Sequence, residues 1–326
     1  MKKIKISAGI WFLGATSDRF VKEGYRPDRT IEERFKLAGT IEGLSGLEMH
    51  YPTEITDSTY KHLKKVADNS GLQIVLVAPH LWIDPRWKYG QFSNPDKKLR
   101  REAIDLAKRT IGIAHEMGAE VVVYWPAQDG YDYYFQDNYT QRLDDLISGL
   151  AEMADHDPGQ KVVLEYKAFE PRTHIFLGTM GHCMAIVNEI NRPNFGINLD
   201  VGHALIMKEN LAESIAFCMR YRKLYHTHWN DNFKLFDDDI IVGTVNLWET
   251  LEALFWLEEL NYDGWFGLDL FPYREAPQKA IEESIKNLHF GYELLDKVPK
   301  KELYECFQSS DAIKVSQLMR RMLGGK

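Results

Sequence analysis

The sequence predicts one (β/α)₈ barrel of the TIM-barrel class, an α/β fold ending in a short C-terminal helical extension. Three observations carry this. Apolar runs of strand length alternate eight times with amphipathic segments of helix length. No linker rich in Pro, Gly or Ser divides the 326 residues, a length that suits one large barrel. Side chains that bind metals gather at the ends of the later runs, where such a barrel places its chemistry.

In chain order, strands are expected at 4–12, 44–50, 74–80, 121–125, 161–167, 195–200, 224–228 and 265–271. These apolar runs suit strands buried between an outer ring of helices and a filled interior. Helices are expected at 31–42, 59–69, 97–117, 140–153, 181–190, 211–221, 247–260 and 277–295, where apolar residues follow helical spacing. The barrel is expected over residues 1–298 and a charged helical tail over 299–326. An open doubly wound sheet is the competing fold. It commonly carries a glycine-rich phosphate loop at its first turn, and no G-x-G-x-x-G or P-loop occurs.

Composition narrows the function. Apolar content of 44% and charged content of 27% are ordinary for a soluble protein. A net charge of −8 argues against a nucleic-acid surface. Three distant cysteines, Cys183, Cys218 and Cys306, argue against a disulfide framework. The start, Met1-Lys2-Lys3-Ile4-Lys5-Ile6, lacks a signal-peptide core, and no apolar stretch approaches a membrane span. A cytoplasmic protein that engages neither membrane nor nucleic acid is expected.

Five stretches end in metal-binding side chains. They contain Glu165 and Lys167; Asp200 and His203; His226 and His228; Asp237 and Asp239; and Asp269. A carboxylate or imidazole ending a buried strand needs a partner, and several converging ones suit a divalent ion. Each has a plainer reading. Glu165 could pair with Lys167, which lies on the same side two residues on. Asp200 could cap a helix. His226 and His228 share one face, and either could be a ligand. Asp237 to Asp239 could be a solvated acidic loop. Carboxylates mixed with imidazoles, without thiolates, point to Mn²⁺, with Co²⁺ or Mg²⁺ also suited. Seven ligands exceed one ion's needs, so two ions are expected. Trp11, Tyr51, Trp82, Trp125 and Trp229 are expected at the same barrel end, either packed in the core or facing a sugar ring.

These residues resemble those of the xylose isomerase-like TIM-barrel superfamily, and within it most closely the L-rhamnose isomerase group. HWNDNFKLFDDDIIVGTVN is similar to the H-x-N-D…D-D-D-[LI]-x-V-G-[ST] segment of L-rhamnose isomerases. YWPAQDGYD and LEYKAFEP look like the W-G-G-R-E-G-Y-E and I-E-P-K-P-x-E-P segments of xylose isomerases. The resemblance implies that Glu165, Asp200, His228 and Asp269 hold one ion. It implies a second on Asp200, His203, Asp237 and Asp239, with Asp200 shared. It places Lys167 and His50 against the substrate, with Trp11, Trp82, Trp125 and Trp229 around it, and counts Lys167, Asp237, His203 and His50 as catalytic. The aspartate that supports His50 in xylose isomerases is absent, because Pro52, Thr53 and Glu54 follow instead.

The implied activity is aldose–ketose isomerisation of a monosaccharide by a metal-assisted 1,2-hydride shift, in a homodimer or homotetramer. The main rival is a ketose 3-epimerase, with one metal and Glu165 and Asp269 as acid and base. Phosphodiester cleavage of the endonuclease IV type would demand a basic groove, against the −8 charge. A sugar-binding barrel without catalysis would need neither Lys167 nor seven ligands. Trp82, Phe92 and the 12–27 segment are expected to read the sugar.

Overall fold

The computed structural model describes residues 3–325; Met1 and Lys2 of the N-terminal segment and Lys326 of the tail lie outside them. Eight strands pair in parallel and close into a barrel. They are β1 (Lys5–Gly9), β2 (Gly46–Tyr51), β3 (Gln73–Pro79), β4 (Val121–Tyr124), β5 (Lys161–Glu165), β6 (Phe195–Asp200), β7 (Leu224–Trp229) and β8 (Trp265–Leu268), with β8 pairing to β1. The surrounding helices are α1 (Ile31–Ala38), α2 (Tyr60–Asn69), α3 (Lys97–Met117), α4 (Tyr139–His156), α5 (Met180–Ile190), α6 (Val201–Ile206), α7 (Leu211–Arg220), α8 (Leu247–Glu259) and α9 (Pro277–Leu295). Local signals start them. Thr30 and Glu33 form a capping box on α1, Asp96 caps α3 through the amides of Lys98 and Leu99, and Pro277 opens α9.

Period-two alternation along the strands sorts the barrel into an inner and an outer face. Leu76, Ala78, Val121, Val123 and Val163 form a small apolar cluster apart from the main core. Further along β5, β6 and β7 the polar residues Glu165, Asn198, Asp200, His226 and His228 are buried instead. Parallel register sets Glu165 opposite Asn198, Asp200 opposite His228, and His228 opposite Gly267. The C-terminal ends of the strands therefore share one polar layer.

Trp229 corrects an expectation. It follows His228 and so faces outward from the barrel: fully buried, it stacks on Phe266 at 5.2 Å, and its Nε1 donates to Thr227 Oγ1 at 2.9 Å. It fills the core and does not line a sugar pocket. Phe92, expected to read the sugar, is likewise buried and stacks on Tyr124 at 4.2 Å.

The tail folds into α10 (Lys300–Ser309) and α11 (Ala312–Met322), whose Cys306, Leu318 and Met322 cluster with Val298 against Trp248 of α8. Cys183, Cys218 and Cys306 are buried free thiols. Among the described residues no helix is long and apolar enough to cross a membrane.

Candidate metal centre

Glu165 ends β5, Asp200 ends β6, His228 lies one residue from the end of β7, and Asp269 follows β8 directly. Each offers one ligand atom, and these four atoms all lie within 4.8 Å of one another. His228 Nδ1 is 3.2 Å from Glu165 Oε2, 3.8 Å from Asp200 Oδ2 and 3.7 Å from Asp269 Oδ2. Asn198 Nδ2 donates to Glu165 at 2.7 Å. Burial, helped by neighbouring carboxylates, raises both acids against the histidines: the Asp269 pKa is pushed up to about 7 despite His228, and that of Asp200 is raised despite His203.

Asp200 also makes structural hydrogen bonds. Its side chain caps the short helix α6 through the His203 amide at 2.9 Å, and Asn230 Nδ2 donates to both its oxygens at 3.2 and 3.3 Å. The capping reading and the ligand reading are therefore compatible. Gly202 supplies room: a Cβ there would lie 2.2 Å from Asn230 Oδ1 and 2.9 Å from Asp237 Oδ1.

The second expected set is more open. Asp237 Oδ2 meets His203 Nε2 at 3.0 Å and Lys167 Nζ at 2.8 Å. Lys167 also pairs with Glu170 at 2.8 Å, so its partners are Asp237 and Glu170, where Glu165 was the alternative. Burial opposes its charge, but these two carboxylates outweigh burial and hold its pKa above the ordinary lysine value. Burial likewise opposes His203, yet Asp200 and Asp237 raise its pKa to about 9. Asp239 adopts a left-handed φ of 48°, a conformation aspartate tolerates, and accepts from Asn230 Nδ2 at 3.3 Å. Burial and the Asp237 and Asp269 charges push its pKa well up. Asp200, His203, Asp237 and Asp239 do not converge as tightly as the first four, and Lys167 and His203 both hold Asp237.

A divalent ion fits these donors. Among the described residues, His228 Nδ1, His203 Nδ1, Asp237 Oδ1 and Asp269 Oδ1 are buried without a hydrogen-bond partner. Such orphans are rare in folded interiors; the two carboxylate oxygens, and the two imidazole nitrogens once unprotonated, offer lone pairs that coordination would use. Asp231 has a different task. Its carboxylate accepts from the amides of Asn232, Val245 and Asn246 and from Asn246 Nδ2, which pins the loop that delivers Asp237 and Asp239.

An aromatic wall stands beside the ligands. Trp11 packs on His50 at 4.4 Å, His50 stacks on His80 at 4.6 Å, and Trp82 meets Trp125 at 4.9 Å, with Lys167 5.3 Å from the Trp125 ring. Burial and the neighbouring His50 lower the His80 pKa to about 3, so His80 is neutral at physiological pH. Tyr51 donates to Asp57 at 2.7 Å and takes no place in this wall.

Sequence reasoning missed two carboxylates. His50 does have a partner: Glu54 Oε2 accepts from its amide at 2.7 Å and lies 3.0 Å from its Nδ1. The partner comes four residues on and has a longer side chain, so a search for aspartate at the usual spacing passes over it. The other is Glu48, fully buried on β2. Its Oε1 accepts from Ser7 Oγ at 2.7 Å and meets His226 Nε2 at 3.0 Å, while its Oε2 meets His228 Nε2 at 2.8 Å. His226 therefore belongs to Glu48, and His228 is the histidine of the four-ligand set. One acidic residue in an apolar strand, with partners 178 and 180 positions away, leaves no local signal.

Comparison with known proteins agrees with this architecture. A xylose isomerase from Thermus thermophilus is 26% identical over an alignment spanning 95% of this chain and 82% of that protein. Among solved structures, a D-tagatose 3-epimerase-like protein superposes with a TM-score of 0.66 at 22% identity, covering 88% of this chain and 98% of the other. D-allulose 3-epimerase from Methylomonas sp., in complex with D-allulose, superposes at 0.67 with 14% identity, covering 89% and 96%. The family model described as "Xylose isomerase-like TIM barrel" matches residues 36–289, so the chain belongs to the xylose isomerase-like TIM-barrel family.

Proposed function

We propose that this protein interconverts an aldose and its ketose, in the manner of L-rhamnose isomerases, by a 1,2-hydride shift in the open-chain sugar. One observation carries the reading. The four-ligand set of Glu165, Asp200, His228 and Asp269 adjoins a buried His203–Asp237–Lys167 chain that a one-ion enzyme would not need. In this reading Glu165, Asp200, His228 and Asp269 hold one divalent ion, and Asp200, His203, Asp237 and Asp239 hold the second. Bound Mn²⁺, Co²⁺ or Mg²⁺ would supply Lewis acidity toward the sugar oxygens.

The chain's own groups then have distinct tasks. Lys167, fixed by Asp237 and Glu170, donates a hydrogen bond to the carbonyl oxygen, where charge builds as hydride passes from C2 to C1. His50, oriented by Glu54, exchanges a proton with the ring oxygen as the sugar opens. Trp11, Trp82 and Trp125 cover the apolar faces of the sugar and exclude water. In the proposed organisation, residues 1–298 carry the site, 299–326 form an appended tail, and the active form is a cytoplasmic homodimer or homotetramer. The sugar-enzyme names of the related proteins, one of them bound to D-allulose, support a monosaccharide substrate.

A ketose 3-epimerase is the second reading, favoured by one observation. The ligand atoms of the first set lie within 4.8 Å of one another, and those of the second do not gather as closely. There Glu165 and Asp269 would exchange protons at C3. An aldose carrying deuterium at C2 tests the hydride shift, and a ketose carrying deuterium at C3, which the epimerase would lose to solvent, tests the second reading. Deuterium retained on C1 of the ketose is expected for the isomerase; complete loss to solvent would rule out the hydride shift.

Glu54→Ala is expected to lower kcat/KM on ring-closed sugar by roughly 100-fold, the lower end of a general acid–base contribution. A steady-state rate equal to the parent's would remove Glu54 from ring opening.

A further inference from the structure

Glu48 lies on β2 and His228 on β7, two strands that are not neighbours in the barrel. Between them stand β1 and β8, and each presents a small residue at this level. Ser7 of β1 donates to Glu48 Oε1 at 2.7 Å. Gly267 of β8 leaves a gap that nothing larger would fit: a Cβ there would lie 2.3 Å from Glu48 Oε1, 2.8 Å from His226 Nε2 and 2.9 Å from His228 Cδ2. Glu48 therefore reaches across the barrel interior, through space that Ser7 and Gly267 leave, to two histidines. All three of these side chains are buried.

An imidazole has two nitrogens, and a hydrogen bond to one decides which is free to coordinate. The Nε2 of His228 is engaged by Glu48 Oε2 at 2.8 Å, and its Nδ1 faces Glu165, Asp200 and Asp269. His226 has no such face, because its Nε2 is turned to Glu48 Oε1 and its Nδ1 is buried without a partner. Separations of 2.8 and 3.0 Å between Glu48 and these nitrogens are hydrogen-bond lengths.

We propose that Glu48, held by Ser7 and His226, is a positioning residue that keeps the proton of His228 on Nε2 and so makes Nδ1 its metal-binding atom. This rests on the assignment of His228 as a ligand. Replacing the carboxylate by an amide reverses part of the arrangement. In Glu48→Gln the oxygen can serve Ser7 and His226, and the amide N–H₂ then donates to His228 Nε2, which pushes the His228 proton onto Nδ1.

The test measures Mn²⁺ affinity by calorimetry for the full chain and for Glu48→Gln, with the absorption spectrum of Co²⁺ followed in parallel. Affinity is expected to fall roughly 10- to 100-fold in the variant, as for other groups that orient a ligand, with a changed Co²⁺ spectrum. Equal affinity and an unchanged spectrum would overturn the positioning role. A parent protein that binds no divalent ion would instead overturn the metal-centre reading itself. If the variant fails to fold, ¹H–¹⁵N correlation spectra of the parent loaded with Zn²⁺ decide the matter. A proton on His228 Nε2 is the expected result, and a proton on Nδ1 refutes the proposal.

Discussion

Lys167→Met is expected to slow turnover by roughly 100- to 1,000-fold, the cost of removing one donor aimed at developing charge. The ammonium is buried and meets Asp237 and Glu170 at 2.8 Å each, so it is held ready before substrate arrives. Methionine keeps the length and apolar bulk of the stem, and KM should change less than kcat. The same variant carries a stability signature. Without Lys167, Asp237 is a buried carboxylate left with His203 alone, and losing one partner of a buried pair costs on the order of 3 kcal/mol. Denaturant unfolding in chelator should show that loss, and added Mn²⁺ should recover part of it, because an ion satisfies Asp237 in place of the ammonium. An unchanged kcat would remove Lys167 from the chemistry and leave it a structural counter-charge.

Asp237→Ala combined with Asp239→Ala is expected to abolish isomerisation while the barrel still folds. Both residues sit on the loop that Asp231 pins, outside the strands that close the barrel. If the second ion supplies about 4 kcal/mol of transition-state stabilisation, its loss lowers the rate about a thousand-fold. Circular dichroism and ion stoichiometry complete the experiment: an unchanged spectrum, with one ion bound where the parent binds two. Retained turnover would break the two-ion account and leave Glu165, Asp200, His228 and Asp269 as the whole ligand set.

The barrel was legible because its strands are apolar runs and its helices amphipathic, and both patterns are local. The gathering of Glu165, Asp200, His228 and Asp269 is also legible, since each lies at a strand end or within one residue of it. What local pattern could not supply was orientation and distance. Trp229 lies at the barrel end with the other aromatics, yet adjacency to His228 in a strand means the opposite face, and the residue packs on Phe266. Glu48 was invisible because its partners come from the far side of the barrel. Glu54 is not legible as the partner of His50 when an aspartate is sought, because its longer side chain reaches back from four residues on. Gly202 and Gly267 matter for the space they leave next to Asn230, Asp237, Glu48 and the histidines, which no one-dimensional pattern encodes.

The central claim is tested most directly by turnover of a panel of aldoses with Mn²⁺ or Co²⁺, before and after chelation, with products resolved by chromatography. The account predicts that at least one aldose yields its ketose, that chelator stops the reaction, and that restored ion revives it. A protein that converts only ketoses to their C3 epimers, or one indifferent to chelation, would contradict it.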